Sequence, residues 1–205
     1  MMNSLHIIGA GGHGKVVADI ALTRGYSDIV FFADGNTEKE CMGFPIVNGT
    51  EKVYDYPDTD IIVAIGNAKV RKQFLDNLIT QKRHIPTLIH PTAIIAPKTE
   101  IGKGSVIMAG AVINPHTTIG VGCIINTGAS VDHDNTIGNY VHISVGTHLA
   151  GTVSVGDATW IGIGAIISNN ISICENCTIG AGCVVVKDLD VSGVYVGVPA
   201  KLLQK

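Results

Sequence analysis

His133 and Asp134 are adjacent residues whose side chains together suit acid–base chemistry. An imidazole with an unperturbed pKa of about 6.5 can take up a proton at neutral pH. A carboxylate beside it can hold the ring in one tautomer, which is the orienting role of the acid in a catalytic triad. The pair therefore predicts a catalytic site in which His133 is the general base and Asp134 orients it.

A second candidate site is the glycine-rich segment Gly9-Ala10-Gly11-Gly12-His13-Gly14, which directly follows apolar residues 5–8 and contains G-x-G-x-x-G. Glycines let backbone N–H groups approach a phosphate, and the N-terminus of the following helix adds partial positive charge. Asp34 lies twenty residues after Gly14, where a ribose-binding acid stands in dinucleotide-binding proteins. The segment predicts a site for a ligand that carries a diphosphate, either NAD or a nucleotide sugar.

The element that must position His133 is an unbroken six-residue repeat. All eighteen of its period positions are Ile, Leu or Val: Ile89, Ile95, Ile101, Ile107, Ile113, Ile119, Ile125, Val131, Ile137, Ile143, Leu149, Val155, Ile161, Ile167, Ile173, Ile179, Val185 and Val191. This period fits neither an α-helix nor a flat strand. It predicts a prism in which each hexad is a short strand plus a corner, three hexads make a coil, and the period residues point inward.

The repeat also predicts where residues lie relative to each other. Eighteen residues make one coil, so Gly151 should stack over His133 at about 4.8 Å, the spacing between paired strands. A glycine removes side-chain bulk next to the base, and its N–H can donate to a developing oxyanion. His142 precedes period residue Ile143 and points outward, where it could reach a bound acyl group or sugar.

Residues 1–88 follow a different pattern. Apolar runs at 5–8, 29–33 and 61–65 predict strands, and residues 15–24 and 68–79 predict helices. This alternation predicts a parallel sheet with helices packed on it, an α/β half-Rossmann-like domain. The third strand leads into Gly66 and Asn67, further candidates for ligand binding. Fewer than ninety residues make about one mononucleotide-binding half, which favours a nucleotide sugar over NAD.

Composition excludes several classes of function. The net charge is −3 without a basic run, which argues against nucleic-acid binding. No apolar stretch reaches the roughly 18 residues of a membrane span, and no signal peptide is evident, so we expect a cytoplasmic protein without membrane insertion. Cys174 and Cys177 form a C-x-x-C, but no second pair completes a zinc set. We expect all five cysteines to be reduced and no metal site.

Taken together, these residues resemble one family, the hexapeptide-repeat sugar O- and N-acetyltransferases, of the UDP-4-amino-sugar N-acetyltransferase and sialic-acid O-acetyltransferase type. The resemblance covers essentially the whole chain and rests on the glycine-rich segment, the hexads, His133-Asp134 followed by Ile137-Gly138, and residues 197–201. It implies a left-handed parallel β-helix over 89–205 with a short C-terminal cap. One departure is Asp134, since some N-acetyltransferase members have Glu after the catalytic histidine.

The resemblance also implies a homotrimer with active sites between subunits, where acetyl-CoA lies in the groove between two solenoids. It implies that His133 is the general base, that Gly151 lies near the thioester, and that Lys201 lies near the phosphates of coenzyme A. It assigns nucleotide-sugar binding to the N-terminal domain, with these candidates: Gly9, Gly11, Gly12, His13, Gly14, Asp34, Gly66 and Asn67.

The leading functional prediction is acetyl transfer from acetyl-CoA to the amino group of a nucleotide-linked amino sugar. Transfer should be direct, because no Cys or Ser is poised to form an acyl-enzyme. Three alternatives stay open at this point. They are O-acetylation of sialic acid or a related sugar hydroxyl, an NAD-dependent oxidoreductase that uses G-x-G-x-x-G, and a sugar-binding solenoid without catalytic activity.

Overall fold

The computed structural model divides into two compact units, Met1–Leu88 and Ile89–Lys205, within which residues 4–203 are described. The first unit is an α/β layer. Its elements in chain order are β1 (Ser4–Ile8), α1 (Gly12–Thr23), β2 (Asp28–Ala33), β3 (Glu40–Cys41), β4 (Phe44–Asn48), the 3-10 helix Thr50–Asp55, β5 (Asp60–Val63) and α2 (Ala68–Thr80).

The sheet of this unit has the strand order β3-β4-β2-β1-β5, and every pair is parallel except the β3–β4 pair. The central strands are nearly continuous apolar runs, as expected for strands that are covered on both faces. The side chains of Leu5, Ile7 and Phe31 are fully buried, as are those of Leu75 and Leu78 on α2. The predicted half-Rossmann-like architecture is therefore confirmed.

Several predicted boundaries in this unit are wrong. Helix α1 begins at Gly12 rather than at residue 15, so His13 and Gly14 lie in its first turn and not in the preceding loop. The third predicted strand ends at Val63 instead of residue 65. Strands β3 and β4 were not predicted, because β3 has only two residues and Pro45 lies within the apolar run 44–47, where a proline argues against a strand.

The second unit is a parallel β-helix. Seventeen two-residue strands, β6 to β22, make up its coils: Leu88–Ile89, Ile94–Ile95, Glu100–Ile101, Val106–Ile107, Val112–Ile113, Thr118–Ile119, Ile124–Ile125, Ser130–Val131, Thr136–Ile137, His142–Ile143, His148–Leu149, Ser154–Val155, Trp160–Ile161, Ile166–Ile167, Ser172–Ile173, Thr178–Ile179 and Val184–Val185. They form three sheets in which each residue pairs with the residue eighteen positions away, as Ile113 does with Val131.

The period residues build the core of the solenoid. From Ile107 to Val185 each of them is at most 2% exposed, while Ile89, Ile95 and Ile101 are only partly buried. Each coil buries little apolar surface alone, so the array is stable only because coils cover one another.

The repeat ends earlier than predicted. The period predicts Val191 as its eighteenth inward residue, but this side chain is 58% exposed. Leu189 occupies the core instead and bridges to Ile173. The chain then forms β23 (Val194–Val196), which pairs with β21 and buries Tyr195, and β24 (Lys201–Leu202), which pairs antiparallel with β23. This segment is the C-terminal cap, since a solenoid needs its last coil covered.

The cysteines of the solenoid belong to its packing. All five cysteines are free thiols, and the Sγ atoms of Cys174 and Cys177 lie 3.4 Å apart as a hydrogen-bonded pair. Burial raises the pKa of the Cys177 thiol to about 11, which keeps it protonated near neutral pH. Within residues 4–203, no helix is long and apolar enough to cross a membrane.

Candidate active site

The corner that follows β13 carries His133. Asp134 has a φ of 58°, in the left-handed region that Asp tolerates better than most residues. Its carboxylate lies against the preceding ring, and Oδ2 is 2.7 Å from His133 Nδ1. With Nδ1–H donated to Asp134, the lone pair of the neutral ring is on Nε2. The Nε2 atom is thus the one that can take up a proton.

Two carboxylates favour the protonated form of this ring. The hydrogen bond to Asp134, followed by the negative charge of Asp132, raises the pKa of His133 above its ordinary value of 6.5. Asp132 Oδ1 accepts hydrogen bonds from Asn114 Nδ2 (2.7 Å) and from the His133 N–H (2.8 Å). These two bonds, that of Asn114 first, lower the pKa of Asp132 and keep it ionised. The His133 side chain remains 57% exposed, so an acceptor can reach it.

Gly151 lies directly over the imidazole. A Cβ at this position would be 2.6 Å from His133 Cε1 and 2.7 Å from Nε2. The coils are tied at this point by the Thr152 N–H, which donates to the His133 carbonyl oxygen over 3.0 Å. The Gly151 N–H, in contrast, donates to no other atom of residues 4–203. A free backbone donor and a proton acceptor therefore lie side by side.

His142 lies on a different face of the solenoid. It belongs to β15, in the sheet of β12 and β18, whereas His133 follows β13 in the neighbouring sheet. Its ring stacks on Trp160 with centroids 6.0 Å apart and an interplanar angle of 14°. Its Nε2 lies 3.2 Å from Asn126 Nδ2. The single chain does not bring His142 and His133 onto one face.

Lys201 lies in β24 of the C-terminal cap. It lines a shallow cavity of about 200 Å³ together with Val186, Lys187, Leu189, Pro199 and Ala200. Two lysines and several apolar residues line this cavity without an acidic residue, so its chemistry suits an anionic ligand with an apolar part.

The glycines of the N-terminal unit divide into two groups. A Cβ on Gly9 would lie 2.7 Å from the Ala64 carbonyl oxygen, and one on Gly14 would lie 2.1 Å from the Gly9 carbonyl oxygen. These two glycines are therefore required by packing at the carboxyl ends of β1 and β5. A Cβ on Gly11, Gly12 or Gly66 would meet nothing within 4 Å, so these three positions leave open space beside two helix N-termini.

His13 lies in the first turn of α1 and not in the loop that the sequence predicted. Its Nε2 is buried and has no partner among the described residues. Burial, followed by the nearby charge of Arg71, lowers the pKa of His13 to about 4. The ring is consequently neutral at pH 7 without a bound anion, whose charge would raise this pKa.

Asp34 and Asn67 both have local hydrogen bonds. Asp34 accepts from the Thr50 N–H over 2.8 Å and from Thr50 Oγ1 over 2.9 Å, which holds the start of the 3-10 helix. Asn67 caps α2, because its Oδ1 accepts from the Val70 N–H over 3.1 Å. Both side chains are exposed at the carboxyl edge of the sheet, and their roles toward a ligand remain predictions.

The sequence reasoning missed two residues that shape these sites. Asp132 adds a second carboxylate beside the imidazole. Arg71 is fully buried on α2, and its Nη1 donates to the carbonyl oxygens of Ile65 and Gly66, both over 2.8 Å. The spacing of Arg71 within α2 places it on the apolar face of the helix. Spacing alone does not reveal the two carbonyl oxygens that bind its guanidinium. Across the described residues, no group of three or more His, Cys, Asp or Glu could hold a metal ion.

Comparison with known proteins finds a matching protein family for each of the two units. Residues 4–78 match the family described as the PglD N-terminal domain, and residues 152–187 match the bacterial transferase hexapeptide family. The chain is 38% identical over 113 residues to the UDP-N-acetylbacillosamine N-acetyltransferase of Bacillus subtilis (strain 168). That match covers 53% of this chain and 52% of the enzyme, so it spans about half of the curated relative.

Solved structures match over the full length. The acetyltransferase domain of PglB from Neisseria gonorrhoeae FA1090 is 40% identical, with a TM-score of 0.94 over 98% of this chain and 100% of that chain. It has also been solved in complex with acetyl coenzyme A. PerB from Caulobacter crescentus, in complex with CoA and GDP-perosamine, is 33% identical, with a TM-score of 0.93 over 100% of this chain and 99% of that chain.

Proposed function

Because the chain belongs to the hexapeptide-repeat sugar acetyltransferase family, we propose that it transfers the acetyl group of acetyl-CoA to the amino group of a nucleotide-linked amino sugar. One observation carries the proposal: the free Nε2 of His133 lies beside the free N–H of Gly151. Attack of an amine on a thioester needs both a proton acceptor and an oxyanion donor.

In the proposed reaction the acceptor nitrogen attacks the thioester carbonyl carbon, and His133 Nε2 takes the proton that this nitrogen loses. The carbonyl oxygen becomes an oxyanion, which accepts a hydrogen bond from the Gly151 N–H. Collapse of the intermediate breaks the C–S bond, and the imidazolium returns its proton to the leaving thiolate. Asp134 keeps Nδ1–H directed and stabilises the imidazolium, since their hydrogen bond favours the charged ring.

The N-terminal domain, residues 1–88, is the proposed binding site for the nucleotide sugar. Gly11, Gly12 and Gly66 leave room beside the N-termini of α1 and α2, where backbone N–H groups and helix dipoles favour an anion. Gly9 and Gly14 allow the close backbone packing beneath this surface. A neutral His13 suits a sugar hydroxyl better than a phosphate, and Asp34 and Asn67 border the same edge.

The second domain, residues 89–205, is the proposed acetyltransferase domain, active as a homotrimer with its sites between subunits. His142 and His133 lie on different faces, so acetyl-CoA contacts both only in a groove between two solenoids. Exposed apolar residues support self-association: Trp160 on the His142 face, Val145 and Ile163 in the adjoining corner, and Ile166 on β19 of the next sheet. Lys201 would then contact the phosphates of coenzyme A. Use of acetyl-CoA supports a cytoplasmic location.

The test is a screen of acetyl-CoA consumption over UDP-, GDP- and dTDP-linked amino sugars and sialic acids, with mass spectrometry of the products. We expect a nucleotide-linked N-acetyl product. Acetylation of a hydroxyl would replace this proposal with O-acetylation, and no turnover with any acceptor would favour a sugar-binding solenoid. Titration with NAD and with a UDP-sugar completes the test, since tight binding of NAD alone would indicate an oxidoreductase.

A further inference from the structure

Asn135 occupies an unusual place in the solenoid core. It lies four positions after Val131, in the near-core column formed by the residues four positions after each period residue. Its side chain is 1% exposed. Other members of this column are small or apolar, such as Val141 and Val153. A buried amide is costly unless its donors and acceptor are all satisfied.

The hydroxyl members of the column share one bonding pattern. Thr117, Thr147 and Thr159 each donate to the carbonyl oxygen fifteen residues later, in the next coil. Asn135 follows this pattern toward Ala150, whose carbonyl oxygen is 3.0 Å from Nδ2, and its Oδ1 accepts from the Val153 N–H. These contacts tie one coil to the next.

Asn135 makes one bond that the hydroxyls do not make. Its Nδ2 also donates to the Asp132 carbonyl oxygen over 2.7 Å, within its own corner. Both donors of the amide and its acceptor are thus used, and this arrangement fixes which end of the amide is nitrogen.

The two carbonyl groups belong to peptide groups of the candidate active site. The Ala150 carbonyl shares its peptide plane with the Gly151 N–H, and the Asp132 carbonyl shares its plane with the His133 N–H. A donor on the carbonyl fixes the orientation of the plane and polarises its N–H, which strengthens that N–H as a donor. One buried amide therefore connects the peptide that bears the proposed oxyanion donor with the peptide that bears the proposed base.

We propose that Asn135 is a positioning residue that sets the distance and orientation of the Gly151 N–H relative to the His133 imidazole. The inference rests on the proposed acetyl transfer for its effect on rate. Asn135 touches neither substrate nor the reacting atoms, and it acts through the two peptide groups that it bridges.

The solenoid itself supplies matched variants. Valine occupies the same column at Val141 and Val153, so its size fits this position, and Asn135→Val removes all three hydrogen bonds. Asn135→Thr should restore the bond to Ala150, because Thr117 makes the equivalent bond at the same register. Thr159→Val is the control, since it removes a bond of the same kind to Cys174, in a corner remote from His133 along the coil.

We expect Asn135→Val to lower kcat by about tenfold to a hundredfold, with KM for acetyl-CoA unchanged within about twofold, as for loss of a transition-state interaction. Asn135→Thr should recover most of kcat, and Thr159→Val should stay within about twofold of the wild type. In ¹H–¹⁵N spectra, the Gly151 amide resonance should move in Asn135→Val and stay in place in Thr159→Val.

Two results would overturn the inference: Asn135→Val that retains kcat within about twofold, or Thr159→Val that loses as much activity as Asn135→Val. If the wild type acetylates no acceptor, the proposed function fails and the Gly151 resonance decides alone. Movement confined to Asn135→Val then supports the positioning role, and an unmoved resonance overturns it.

Discussion

Gly151→Ala is a one-carbon change that should uncouple stability from activity. The added Cβ would lie 2.6 Å from His133 Cε1, whereas ordinary van der Waals contact begins at 3.4 Å. The imidazole must therefore withdraw by about 0.8 Å. It can do so easily because it is 57% exposed, so we expect the free energy of unfolding to change by less than about 1 kcal/mol.

The rate should respond much more strongly. A misplacement of about 1 Å costs up to roughly a hundredfold in rate. We expect kcat to fall by about tenfold to a hundredfold, which corresponds to about 1.4–2.7 kcal/mol of transition-state stabilisation. The assay is steady-state release of coenzyme A at saturating acceptor and acetyl-CoA, with thermal unfolding followed in parallel.

Gly193→Ala is the matched control for this change. A Cβ there would lie 2.5 Å from Leu202 Cδ1, the far end of an exposed side chain that can move aside. It should leave kcat within about twofold of the wild type. If Gly151→Ala is folded and also keeps kcat within about twofold, the reasoning that places the base under this glycine is refuted.

Two further predictions concern protonation. Asp134→Asn replaces the carboxylate whose charge-assisted hydrogen bond most raises the pKa of His133 with a neutral amide. The acidic limb of the kcat/KM profile should therefore move to lower pH, and kcat should fall by about tenfold or more. An unmoved limb would contradict this role. For His13, the folded-state pKa of about 4 lies below the ordinary value of 6.5. Between these two pH values the unfolded protein therefore binds a proton that the folded protein does not. The contribution of His13 to stability is full above pH 6.5 and falls as the pH drops toward 4. Urea denaturation should show a loss of about 2 kcal/mol between pH 7.5 and 5 that is absent in His13→Gln, and equal losses in both proteins would contradict it.

The hexad period predicted most of the second unit, because a period of six leaves few choices of register. The strands, the inward residues and the stacking of Gly151 over His133 all follow from counting by eighteen. The period carries no handedness, and the general rule for parallel crossovers is right-handed, so only the family resemblance implied a left-handed solenoid. Counting also failed at Val191, because the cap that replaces the last hexad obeys no period.

The sequence predicted the N-terminal sheet but not the details of its site. The start of α1 was misplaced because glycines are poor helix formers, although Gly12 and Gly14 lie within the helix. The neutral state of His13 depends on burial and on Arg71, which is fifty-eight residues away in the chain. Asn135 was within reach of the sequence, since the hexad register places an amide in a column of small and apolar residues.

The central claim is that His133 is the general base of an acetyl transfer, and His133→Ala tests it most directly. The measurement is the rate of N-acetylation of the best nucleotide-linked amino sugar from the acceptor screen, at saturating acetyl-CoA, for wild type and variant. Loss of a general base costs typically about 10²–10⁴ in rate, and we predict a loss in this range with an unchanged fold. Acetylation that persists within about tenfold of the wild type would contradict the assignment.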